Sequence, residues 1–436
     1  MDIDFEKYYR TIEKTDLLKV IGKVVQVVGL IVEAQVQGVS VGDLCSIRID
    51  KEGREAYAEV VGFRDQRVLL MPLGSTSGIA PGSQVLAAGK PLMVHVGKSL
   101  LGRVLGGLGE PIDGKGQIQA EEESALFADP PDPVKRPRVT EVLKVGVRAI
   151  DGLLTIGRGQ RMGIFAGSGV GKSTLMGMIA RNAEADVNVI ALVGERGREV
   201  RDFIEESLGE EGLKKSVVIV ATSDQPPLIR LKAAFVATAI AEYFRNLDNK
   251  VILMMDSVTR FAMAQREVGL AAGEPPTTRG YTPSVFALLP KLMERSGTSI
   301  VGSITAFYTI LVEGDDFNEP IADQCRSILD GHIMLSRDLA ARNHYPAIDI
   351  SHSVSRLMTN LAKNEHKSSA AKLREVLARF NEAEDLINIG AYVKGSNPKI
   401  DYAMSKIDNV NKFLQQGTFE QIEFSDTVKK LINIFK

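Results

Sequence analysis

Residues 166–174 read Ala166-Gly167-Ser168-Gly169-Val170-Gly171-Lys172-Ser173-Thr174, and this stretch decides the fold. A short apolar run, Met162, Ile164 and Phe165, precedes it, and Leu175, Met176, Met178 and Ile179 follow at helical spacing. Strand, glycine-rich loop, Lys-Ser and helix, in that order, make a phosphate-binding loop, with Ala166 where glycine is usual. Gly167, Gly169 and Gly171 let the backbone curl until its N–H groups point inward at an anion, and the helix adds its positive N-terminal end. The expected cradle is Gly167, Ser168, Gly169, Val170, Gly171, Lys172, Ser173 and Thr174. Lys172 is expected to reach the β- and γ-phosphates of ATP, and the Ser173 hydroxyl to ligate Mg2+.

Outward from this loop, apolar strands alternate with helices from about 140 to 355. The spacing predicts strands at Val187–Val193, Val217–Ala221, Val251–Met255, Ser299–Ala306 and Ile333–Leu335. Strands this apolar are buried on both faces, as in a parallel sheet sandwiched by helices. Asp256 ends the run Val251–Met255 at its carboxyl end, where ligands of open α/β sheets sit, and is the expected second member of the metal shell. Ser257 follows it, so a residue that polarises the attacking water must come from elsewhere. Glu195, just past the end of another buried strand, is the candidate base. Arg196 beside it either binds phosphate or holds Glu195. In the segment 345–356, Tyr345 offers a flat ring for adenine and Arg356 a cation for a developing phosphoryl charge. By residue type alone, a core tyrosine and a surface arginine fit them as well.

Toward the amino end, Gly22–Val28, Leu30–Val36, Leu44–Ile49, Ala56–Phe63, Arg67–Pro72 and Ser83–Ala88 read as six short strands between turn residues, the pattern of a small β-barrel. Before them, Phe5, Tyr8, Tyr9 and Ile12 fall on one helical stripe. That stripe either docks a partner's groove or packs on the chain's own barrel. Pro130, Pro131, Pro133 and Pro137 read as a stiff linker. Beyond about 365 the chain turns polar and helical. Ser368 and Ser369 are placed to cap a helix through Phe380, and a second helix is expected over about Ile400–Leu414.

Composition sets the broad class. The 436 residues suffice for about three domains. Lys and Arg total 53 against 55 acids, a formal net charge of −2, so no basic excess points to nucleic acid or to an anionic membrane. Cys45 and Cys325 form neither a metal spacing nor a disulfide framework. The most apolar early stretch, Val20–Val32, is interrupted by Lys23 and Gln26, so neither a bilayer span nor a secretory leader is expected. These features together give a cytoplasmic location as the expectation.

The segments together resemble the family of catalytic β subunits of rotary ATP synthases and ATPases of type III protein export. Pro346 to Ser355 matches that family's signature, and Gly194-Glu195-Arg196, the phosphate loop and Asp256 stand in the family's order. Ser223–Arg230, Asp256–Ala262 and Gly273–Pro276 look like the export branch, and Asp385–Tyr392 like its flagellar form. The resemblance implies a multidomain α/β chain: an N-terminal six-stranded β-barrel, a central RecA-like, mostly parallel sheet carrying the phosphate loop, and a C-terminal α-helical domain. The expected divisions are an amphipathic helix over 1–17, the barrel over 18–92, a connecting segment over 93–139, the ATPase core over 140–362 and helices over 363–436. It implies a Mg2+- and ATP-dependent ATPase that assembles as a homohexamer. Lys172, Glu195 and Arg196 would then serve catalysis, Tyr345 the adenine, and Arg356 a finger reaching into the neighbouring subunit. Implied partners are a stator-like regulatory export protein at residues 1–17, an export gate, a central stalk protein, export substrates and chaperones. The membrane's inner face would be reached only peripherally, through such partners. A virulence-type injectisome ATPase and a catalytic subunit of a proton-translocating synthase are the alternatives.

Overall fold

The computed structural model describes residues 20–436 except 51, 313 and 315. The helix expected over 1–17 lies outside the described residues.

One unit contains a closed antiparallel barrel in the order β1-β2-β5-β4-β3-β6. Its strands are β1 Ile21–Val28, β2 Ile31–Gln35, β3 Asp43–Arg48, β4 Glu55–Arg64, β5 Arg67–Pro72 and β6 Gln84–Pro91. Small and branched aliphatic residues fill its interior: Val24, Val32, Ala34, Cys45, Ile47, Ala58, Val60, Val68, Leu70 and Val85. Closure leaves no unpaired strand edge.

The second unit holds the sheet that carries the phosphate loop. Its strands are β7 Arg103–Gly106, β8 Arg161–Ala166, β9 Val187–Glu195, β10 Ser216–Thr222, β11 Lys250–Asp256, β12 Ser303–Leu311, β13 Gly331–Leu335 and β14 Ile348–Ser355. They run in the order β14-β13-β8-β12-β11-β9-β10-β7, and a two-residue strand, Gly297–Thr298, pairs on β12. All pairs along this order are parallel except β13–β14, which is antiparallel. Chain-distant β8, β12, β11 and β9 are therefore neighbours, and their carboxyl ends share one edge.

β12 differs from the expected Ser299–Ala306. The turn Ser299–Gly302, closed by the Ser299 N–H to the Gly302 carbonyl at 3.3 Å, leaves Ile300 exposed, and pairing begins only at Ser303. Gly302 has φ +63°, and the carbonyls of Arg245 and Asn249 occupy the space a Cβ would need. The strand then continues to Leu311 and takes in Thr309.

α1 Arg148–Leu153 is wholly buried, and α2 Lys172–Asn182 begins directly after the phosphate loop. α3 Arg337–Ala341 follows β13. The C-terminal helices are α4 Asn364–Asn388, α5 Pro398–Leu414 and α6 Phe424–Ile434. α4 starts before the expected caps: Lys363 is its N-cap, Ser368 and Ser369 lie within its second turn, and Ser369 is buried. Asn397 caps α5 by accepting the Lys399 N–H at 3.0 Å, one turn before the expected start. Leu373, Val376, Ala403, Val410, Phe413 and Leu431 join one core with Ile150 and Leu153 of α1. Arg148, itself buried, fastens this arrangement by donating to the Phe413 carbonyl at 2.9 Å and to Gln415 and Glu420.

Among the described residues no helix is long and apolar enough to cross a membrane.

Candidate functional site

The phosphate loop joins β8 to α2. Gly169 and Gly171 have φ +79° and +89°, the left-handed region that glycine enters without strain, and Gly171 is the N-cap of α2. Ala166 is buried, pairs with Leu311 of β12 and precedes the curl, so its methyl group does not intrude on it. Ser168, Gly169, Ser173 and Thr174 are exposed on the loop, whereas Gly167 and Val170 are buried.

Two strands converge on Lys172. Its Nζ contacts Asp256 Oδ1 at the end of β11 and lies 3.4 Å from Glu195 Oε1 at the end of β9. Glu195 is aimed there by a β-bulge: the register slips between Val193 and Glu195, and Gly194 has φ +72°. A Cβ at Gly194 would fall 2.8 Å from that of Arg260. Burial pushes the Glu195 carboxyl up to about 7; the Asp256 charge adds to this and Lys172 opposes it. Burial alone would depress the Lys172 ammonium, but the Asp256 and Glu195 charges outweigh it and hold the group above its usual value. The lysine is thus a fixed cation, and Glu195 a carboxyl that gains or loses its proton near neutrality.

Arg196 does not face this cluster. Its side chain is exposed and pairs with Glu199 at 3.0 Å. Tyr345 does reach the loop: a Cβ placed on Gly171 would meet its ring carbons at 3.5–3.6 Å. The ring is half-exposed, and the Tyr345 carbonyl accepts the Gln416 N–H at 3.0 Å. Arg356 lies elsewhere. Ser355 pairs with Gly331 at the start of β13, and the Arg356 N–H donates to the Asp330 carbonyl at 3.1 Å. Asp330 is bound to Arg161, the first residue of β8, whose last residue is Ala166. Five steps of about 3.3 Å put the Arg161 contact roughly 17 Å along β8 from Ala166, so Arg356 sits toward the end of the strands opposite to its own phosphate loop.

Two residues of the site escaped the sequence reading. Thr309, buried on β12 between the loop strand and the Asp256 strand, donates its hydroxyl to Asp256 Oδ1 at 2.7 Å. A threonine among the large apolar and aromatic residues of Phe307–Leu311 was the available signal. Arg337 opens α3 with its guanidinium against Gly167, where a Cβ would come within 2.7 Å of Nε. It stands just past the carboxyl end of β13, the same position in the sheet that Asp256 and Glu195 occupy on their strands.

A partly buried lysine held by two carboxylates beside a glycine loop and a helix N-terminus is a site for a nucleotide's phosphates. Comparison with known proteins agrees. The model of the ATP synthase alpha/beta family, nucleotide-binding domain, matches residues 146–355. That family's beta-barrel domain matches 24–89, and the T3SS EscN ATPase C-terminal domain matches 362–433. The flagellum-specific ATP synthase of Bacillus subtilis is 56% identical over 424 residues, 97% of each chain. The assembled ATPase EscN of the enteropathogenic E. coli type III secretion system superposes with TM-score 0.91 at 46% identity, over 95% of this chain and 100% of that one. EscN in complex with its central stalk EscO gives TM-score 0.88 at 45% identity over the same shares. The chain belongs to the ATP synthase alpha/beta family and, within it, to the ATPases of type III protein export.

Proposed function

We propose that this chain hydrolyses Mg2+-ATP as a homohexameric ring of the flagellar export apparatus, with each active site completed by the neighbouring subunit. The observation that carries the reading is Lys172, held between Asp256 and Glu195 at the foot of the phosphate loop. The loop N–H groups and the α2 terminus bind the phosphates, and Lys172 exchanges its carboxylate partners for them. The donors fit the metal: the exposed Ser173 hydroxyl and the Asp256 carboxylate are hard oxygen ligands, and Thr309 fixes the carboxylate. Mg2+ bound there supplies neutralisation of charge on the β- and γ-phosphoryl oxygens. Glu195 orients the attacking water and takes its proton. Tyr345 stacks on the base. Arg196, turned outward in the isolated chain, acts with Glu195 only if its pair with Glu199 opens.

Arg356 acts in trans. Its place away from its own loop supports this, as does the exposure of its side chain. The stalk seen with EscO on EscN supports a central stalk partner for this chain too. An export gate, export substrates, chaperones and a regulatory protein at residues 1–17 complete the proposed partners, with a cytoplasmic location at the membrane's inner face. The likeness to EscN favours a second reading, an injectisome ATPase, which gene neighbours decide between.

The test is Lys172→Ala. It is expected to abolish phosphate release from ATP while leaving the melting temperature within a few degrees of wild type. Wild-type turnover in this variant would sink the assignment.

A further inference from the structure

We propose that the Arg161–Asp330 ion pair is the positioning device of the trans-acting finger, holding Arg356 in register with the strand that carries the chain's own phosphate loop. The inference rests on the reading of Arg356 as that finger.

Arg356 follows the last residue of β14, an edge strand, and its side chain is exposed. An arginine so placed has many rotamers and a strand end that frays. Two contacts restrain it. The Arg356 N–H donates to the Asp330 carbonyl at 3.1 Å, and Nη2 donates to the Arg326 carbonyl at 3.2 Å. Asp330 lies on the short connection into β13, and Arg326 lies in the last turn of the helix Pro320–Ile328 that precedes it. That connection is fixed through the Asp330 side chain, which accepts from Arg161 Nε at 3.0 Å, Nη2 at 3.2 Å and the backbone N–H at 3.1 Å. The guanidinium and carboxylate meet as a two-pronged fork, the geometry that best specifies orientation. Arg161 is itself backed by Glu294, whose Oε1 stands 2.5 Å from Nη1. Arg136 fastens the same corner by donating to the Ser296 carbonyl at 3.1 Å.

The path from Arg161 is then covalent. It opens β8, and five residues later the phosphate loop begins. A displacement of the loop strand along its axis therefore moves Asp330, and with it the base of Arg356. The pair also has a plain structural role at the sheet's edge, and that role makes the opposite prediction. If Asp330 only stabilises β8, its loss damages the chain's own nucleotide pocket. If it positions the finger, its loss damages the neighbour's site and spares its own pocket.

Mixing of full-length variants separates the two. Asp330→Asn is expected to lower kcat roughly 10–100-fold, the scale of a misplacement of about 1 Å. Its affinity for a fluorescent ATP analogue and its KM are expected to stay unchanged. Mixed with Lys172→Ala, which has a dead pocket and a sound finger, activity should return. Mixed with Arg356→Ala, which has a sound pocket and no finger, it should not. The reverse pattern, rescue by Arg356→Ala and none by Lys172→Ala, overturns the proposal. The control mixture of Lys172→Ala with Arg356→Ala isolates the underlying reading, because no recovery there removes the trans finger itself and this inference with it. If Asp330→Asn does not fold, Arg161→Lys keeps the charge, loses the fork, and is judged by the same two mixtures.

Discussion

Glu195 gives the sharpest numerical expectation. Its carboxyl moves from 4.5 to about 7 because it is buried beside the Asp256 charge, which corresponds to about 3 kcal/mol against the charged form. Since folding raises this value, the stabilising effect of the neutral carboxyl is complete below 4.5 and is lost as pH rises through about 7. A base must be charged to accept a proton, so catalysis and stability pull in opposite directions across this window. kcat/KM reports the free enzyme, the state to which this carboxyl value applies. It should therefore fall about tenfold per pH unit below about 7 and level off above, with roughly a tenth of the plateau left one unit below the midpoint. Glu199→Gln removes a hydrogen bond and a charge that both raise Glu195, so it should move the midpoint to lower pH. Glu195→Gln should equal wild type in melting temperature near pH 5 and exceed it near pH 8. Initial rates at subsaturating ATP from pH 5.5 to 8.5 and thermal melts from pH 5 to 8.5 make both measurements. A kcat/KM profile flat across this range would refute the reasoning, because it would show that no group titrating near 7 limits the reaction.

Two further substitutions test the residues that the strands bring in. Thr309→Val removes the hydroxyl that fixes Asp256 Oδ1; a hydrogen bond to a charged group contributes about 1.5–3 kcal/mol, so the half-saturating Mg2+ concentration should rise, and Thr309→Ser should restore it. Gly167→Ala places a methyl group against Arg337; at about 1–3 kcal/mol of overpacking, nucleotide affinity measured by equilibrium binding should drop while circular dichroism stays unchanged.

The loop and its neighbours were legible because each carries a strong local signal. Glycines at 167, 169 and 171 followed by Lys172 admit few other readings, and Asp256 ends an apolar run that only a buried strand explains. The six barrel strands were legible from turn residues at short spacing. What stayed hidden depends on partners distant in sequence. Thr309 was missed because its strand was read as ending at Ala306, and a hydroxyl in a strand announces nothing until the opposite carboxylate is placed. Arg337 was missed because its partner is a glycine 170 positions earlier, whose missing side chain is the only trace of the contact. Arg196 shows the converse. Its neighbour in sequence faces the site, but the bulge at Gly194 turns Glu195 inward, and Arg196 pairs outward with Glu199. The caps of α4 were misplaced because serine is accepted inside a helix that tertiary packing already holds.

The central claim is that one chain supplies the pocket and its neighbour the finger. Lys172→Ala and Arg356→Ala test it together. A finger delivered in trans contributes about 10³–10⁵ in rate, or roughly 4–7 kcal/mol of barrier, so each variant alone should be nearly inactive. Mixed, with co-assembly confirmed, some interfaces pair a sound Lys172 pocket with a sound Arg356, and the account predicts that part of the wild-type rate returns. Full activity of Arg356→Ala alone, or a co-assembled mixture that recovers nothing, would contradict it.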